Sequence, residues 1–95
     1  MNIEDFLGYG IENAKTREEL CRITGLSDRM LRRLIEEARE RGALIVAGES
    51  GEGYYITDDL ADIQRQYRMD KSRSLAVLNR LKTMRRMLSD AGKEV

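Results

Sequence analysis

Residues 16–42, TREELCRITGLSDRMLRRLIEEARERG, constrain this chain most, because they carry two helical patterns separated by only a three-residue turn. The first pattern opens on a capping box, Thr16-x-x-Glu19, in which the hydroxyl accepts a backbone N–H and the carboxylate reaches back to the cap. Leu20 and Ile23 follow, three apart on one face. Gly25 supplies the left-handed conformation that ends a helix, and Leu26 is expected to be buried in the turn. Ser27 is a good N-cap for the second helix, where Leu31, Leu34, Ile35 and Ala38 recur with the 3.6-residue period of a core-facing stripe. Gly42 stops it. At 100° per residue from Leu31, the opposite face holds Arg29, Arg33, Glu36 and Glu40, with Arg32 on the flank, so the N-terminal half of the outward face is cationic.

Flanking segments extend the pattern. Residues 2–7 read as a short first helix with Asn2 as cap, Glu4 and Asp5 in its first turn, and Ile3, Phe6 and Leu7 at helical spacing. Gly8 and Gly10 break it, and Tyr9 and Ile11 are expected to fold back onto the core. After Gly42, the apolar runs 44–47 and 54–56 enclose a loop with three glycines, a β-hairpin signal. The spacing Gly48-x-x-Gly51-x-Gly53 is no nucleotide-binding loop: it lacks GxGxxG and GxxxxGK[ST], and no helix begins directly behind it.

Helix, Gly-Leu-Ser turn, basic-fronted helix and Gly-rich hairpin together resemble a winged helix-turn-helix domain over residues 3–57, and the GEGYYIT hairpin is similar to that of small phage-encoded members. The resemblance implies a bacterial or phage regulator, or a phage replication protein, that places the N-terminal part of its second helix in the DNA major groove. On that basis Ser27, Asp28, Arg29, Arg32 and Arg33 are assigned to double-stranded DNA. The wing departs from the family pattern: its tip carries Glu49 and Glu52 and no Lys or Arg, which leaves Ser50 and the amides of Gly51 and Gly53 as its donors toward phosphate. A solvated charged face, with Arg32–Glu36 and Arg33–Glu37 pairs four apart, is the other reading of the second helix.

Thr57 is expected to cap a last helix whose first turn holds Asp58 and Asp59. No glycine or proline then intervenes to Leu88, and an unbroken helix there would extend about 46 Å. Leu60, Ile63 and Tyr67 form one apolar stripe; Leu75, Leu78, Leu81 (or Val77), Met84 and Leu88 form another. The polar stretch RMDKSRS between them allows either a continuous helix or a kink. The second stripe has no partner within 95 residues, so a homodimer through this helix is expected. Charge is polarised: residues 65–86 hold eight Lys and Arg against Asp70 alone, whereas the first twenty carry five acids against Lys15 and Arg17. The basic helix fits either auxiliary contact with DNA phosphates or an acidic partner, or, equally, a solvated face opposite a dimer seam. A protein–protein adaptor built on the winged helix fold is the alternative function.

The expected fold is therefore mainly α with a small β-hairpin (α+β), divided into a winged helix-turn-helix over 1–57, a long C-terminal helix over 58–90 and a frayed tail over 91–95. Zero net charge argues against non-specific coating of nucleic acid. The single Cys21 cannot form an intrachain disulfide and is read as core packing. The absence of a signal peptide or spanning segment leads to an expectation of a soluble, cytoplasmic protein with no membrane partner. There is no His, and neighbouring acids such as Glu36 and Glu37 face different ways, so no catalytic, metal or cofactor site is expected and the chain is read as a non-enzyme.

Overall fold

The computed structural model describes residues 1–94, which form two compact units, Met1–Gln64 and the chain from Arg65 onward. Helical residues make up 63% of the described residues, beside one two-stranded hairpin and a long C-terminal helix, the expected mainly α, α+β composition. In order, the regular elements are α1 (Arg17–Thr24), α2 (Asp28–Glu40), β1 (Ile45–Ala47), β2 (Tyr54–Ile56) and α3 (Leu60–Asp90), preceded by 3-10 turns at Ile3–Phe6 and Ile11–Asn13.

Local sequence sets both ends of α1 and α2. Thr16 Oγ1 accepts the Glu19 N–H at 3.1 Å, and Glu19 Oε1 accepts the Thr16 N–H at 3.3 Å, which closes the capping box. Gly25 ends α1 at φ 75°, in the left-handed region that disfavours any side chain. Ser27 Oγ then accepts the Met30 N–H at 3.2 Å and starts α2. Beyond α2, Gly42 adopts φ 100° while the Ala43 N–H returns to the Ala38 carbonyl. The two helices are therefore joined by the three residues between their capped ends.

The core of the first unit gathers Ile3, Leu20, Leu31, Ile35, Ala38 and Ile45, with Phe6, Leu7, Cys21, Leu34, Tyr54 and Ile56 packed around it. The α2 stripe faces inward as its period requires. In the hairpin Ile45 pairs with Ile56, Val46 with Tyr55 and Ala47 with Tyr54, antiparallel. The outer edge of β2 is covered too, because Tyr54 exchanges two backbone hydrogen bonds with Lys15, and Ile56 bonds to Gly8 and Gly10. Thus β2 lies between β1 and the segment 8–15, with both edges paired.

Several expectations give way. Residues 2–7 form a 3-10 turn over Ile3–Phe6, and Asn2 makes no side-chain cap; four residues ahead of Gly8 are too few to nucleate an α-helix, while Ile3 can still be buried from a 3-10 turn. Tyr9 and Ile11 are exposed because their segment is held to β2 through its backbone. Ile23 is exposed as well: Cys21 and Thr24 lie to one side of Leu20 around the helix and face the core, whereas Ile23 lies to the other. Leu26 is half-buried, and Leu44 lies exposed outside β1.

α3 starts differently from expectation. Asp59 Oδ2 accepts the Asp62 N–H at 3.1 Å, so Asp59 rather than Thr57 is the cap; buried Thr57 accepts the Asp59 N–H at 3.0 Å and donates to Asp62 Oδ2 at 3.2 Å. The helix continues through 68–74 without a break, since Arg, Met and Lys are good helix formers. Leu60 and Tyr67 are exposed and Gln66 is buried instead, its Nε2 donating to Asp70 at 3.0 Å. Of the tail 91–95, Gly92 at φ 73° turns the chain out of the helix, and Val95 lies outside the described residues. No described helix is long and apolar enough to cross a membrane.

Candidate nucleic-acid interface

Burial of Leu31, Ile35 and Ala38 turns the other side of α2 outward, and Ser27, Asp28, Arg29, Arg32 and Arg33 are all exposed there. Their partners differ. Arg29 makes no hydrogen bond or ion pair among the described residues. Arg32 Nε lies 3.1 Å from Asp28 Oδ2, and Arg33 Nε 3.1 Å from Glu37 Oε1. The Arg33–Glu37 pair matches the spacing in the sequence. Arg32 takes Asp28 rather than Glu36, the more favourable order in which the acid precedes the base, and Glu36 pairs with Arg39 at 2.7 Å.

Asp28 also reaches Arg17 of α1 at 3.5 Å, so one carboxylate holds a guanidinium from each helix of the pair. With about half of each side chain exposed, these pairs orient the arginines more than they stabilise the fold. Arg17 thereby joins the cationic surface, a position with no signal in the sequence because the pairing crosses the turn. Arg22 in the last turn of α1 is exposed and unpaired among the described residues. Its place could have been read from its helical angle away from Leu20.

At the hairpin tip Glu52 accepts the Ser50 backbone N–H at 2.7 Å through Oε1, which sets a carboxylate beside one of the amides of the loop. Between the start of α1 and the loop end of the hairpin lies a cleft of about 310 Å³ lined by Thr16, Arg17, Ala47, Gly48, Gly51, Gly53 and Tyr54. Gly53 (φ 104°) is required there, since a Cβ would collide with the Lys15 carbonyl.

Other cations of the first unit serve the fold. Arg39 Nε donates to the Ile45 carbonyl at 3.0 Å and its guanidinium sits 5.8 Å from the Tyr54 ring centre. Arg41 meets Glu4 at 3.0 Å. The backbone N–H of Glu4, with Arg41 behind it, holds that carboxyl below its ordinary pKa against partial desolvation. Partial desolvation and the Asp58 carboxylate beside it push the Tyr9 phenol up.

On α3, Leu75, Leu78, Leu81, Met84 and Leu88 are each between 43 and 51% exposed, so the expected stripe is uncovered in the single chain. Val77, Leu78, Leu81, Met84 and Leu88 fall within an arc of about 120°, whereas Leu75 lies outside it, among the basic residues. Compared with family models, curated proteins and solved structures, the chain matches none.

Proposed function

We propose that this protein binds double-stranded DNA in a sequence-specific manner through the N-terminal half of α2, as a regulator of winged helix-turn-helix type. One observation carries the reading: α2 buries its apolar stripe against α1 while its outward face presents exposed Arg29, Arg32 and Arg33 beside Ser27. An arginine free of partners, like Arg29, is available for a bidentate contact to guanine, and Arg32 and Arg33 are held by weak pairs that phosphate can replace. Asp28 then acts by fixing Arg17 and Arg32, and Ser50 is at most a hydroxyl donor. Order of elements supports the same type, with a pairing segment ahead of the helix pair and a hairpin after it.

A homodimer through the α3 stripe completes the proposal. Val77, Leu81, Met84 and Leu88 follow the three–four spacing that a second copy of the same helix would bury. Selection from a random duplex library at two salt concentrations tests the function. Recovery of a common sequence supports it; absence of salt-dependent binding at micromolar protein favours the adaptor. That second reading draws on the hairpin, where Glu52 occupies the Ser50 amide, and on the fourteen acids against eight basic residues in Met1–Gln64.

A further inference from the structure

The cations of the chain are used in two different ways. In Met1–Gln64, Arg17, Arg32, Arg33, Arg39 and Arg41 are all within ion-pair distance of a carboxylate. From Arg65 onward nine Lys and Arg accompany only Asp70, Asp90 and Glu94, a net charge of plus six that balances minus six in the first unit. Along α3, Arg68, Lys82 and Arg86 are exposed and make no hydrogen bond or ion pair among the described residues; Lys71 rests 5.7 Å from the Tyr67 ring centre.

At 100° per residue Arg68, Lys71, Leu75, Asn79, Lys82 and Arg86 form one stripe in an arc of about 80°, on the side opposite Val77, Leu81 and Met84. It extends about 27 Å along the helix axis, near the length of one duplex turn. Like charges three and four residues apart, as in Arg68–Lys71 and Lys82–Arg86, destabilise an isolated helix. A helix selected only for solubility gains from acids at those spacings; between Arg68 and Arg86 this stripe has none, and Asp90 lies just beyond its end.

We infer that this stripe is a second nucleic-acid surface, which holds the phosphate backbone of duplex DNA without reading sequence. Apart from Leu75 its residues are those that contact phosphates: Arg and Lys with the polar Asn79 among them. An acidic protein partner would need apolar anchors within the charged face, and apart from Leu75 those lie on the other side of α3. The inference does not depend on α2, which has different residues and a different readout.

The test is titration of the full chain with a 30-base-pair duplex of mixed sequence across a salt series. Replacing four cations (Arg68→Gln, Lys71→Gln, Lys82→Gln, Arg86→Gln) should weaken binding at low salt at least tenfold. It should also reduce the slope of log affinity against log salt by about three to four units. The variant should keep the circular dichroism of the parent, because each site is exposed and Gln is a good helix former. A variant with Arg29→Ala, Arg32→Ala and Arg33→Ala should bind the same mixed duplex with a similar salt slope. Unchanged affinity and slope in the α3 variant would overturn the assignment. So would loss of all mixed-duplex binding in the α2 variant, or polyglutamate competing for the protein as well as duplex does at equal charge.

Discussion

Gly53 shows how much one residue fixes in this chain. Its positive φ and its approach to the Lys15 carbonyl let β2 bond on both edges, and Gly53→Ala combines backbone strain with a collision against main chain. The substitution should lower stability by at least about 1 kcal/mol, read as a fall in the urea midpoint. Glu4 makes a smaller contribution with a definite sign. Its folded pKa lies below the ordinary value, first through its own backbone N–H and then through Arg41, so the stability linked to these contacts is fully present at neutral pH and is lost as pH falls below the ordinary glutamate range. Glu4→Gln should therefore flatten the acid side of a stability–pH profile; an identical acid limb in the variant would show that the pair contributes nothing. Arg29 and Arg22 stand apart from these residues, exposed and unpaired among the described residues, and on the DNA reading Arg29 carries the larger share of base contact.

Among the elements, α1 and α2 were the most legible, because their signals are local: a capping box, a glycine in the left-handed region, a serine cap and a four-residue apolar stripe. What escaped sequence reasoning depended on contacts between distant residues. Nothing near Tyr9 announces that its segment will bond to β2, and nothing near Arg17 announces Asp28. The start of α3 was misplaced by two residues because Thr57 and Asp59 are both competent caps, and the Asp62 N–H selects Asp59. Arg29, Arg32 and Arg33 could be placed by helical angle and the Arg33–Glu37 pair by spacing, but the sharing of Asp28 between Arg17 and Arg32 could not. For α3 the prediction concerns association: Leu81→Glu with Met84→Glu should convert a dimer to a monomer in sedimentation while helix content in the folded first unit is kept. A parent chain that already sediments as a monomer would remove the dimer.

At the scale of the whole molecule, zero net charge conceals a first unit at minus six and a helical unit at plus six. Such a chain should bind polyanions through local surfaces rather than through its total charge, with affinity that falls steeply with salt. On the DNA reading α2 is then the decisive element, since the acidic hairpin adds no attraction and Glu52 takes the Ser50 amide. On that reading specificity comes from a few side chains on one helix face. The most direct measurement is the ratio of affinities for a library-selected duplex and its scrambled counterpart, in the parent and in Arg29→Ala with Arg33→Ala. The expected result is a parent ratio of about 10³ or more that falls by at least tenfold in the variant, with binding to the scrambled duplex much less affected. A ratio near one in the parent, or one unchanged by loss of both arginines, would contradict sequence reading by α2.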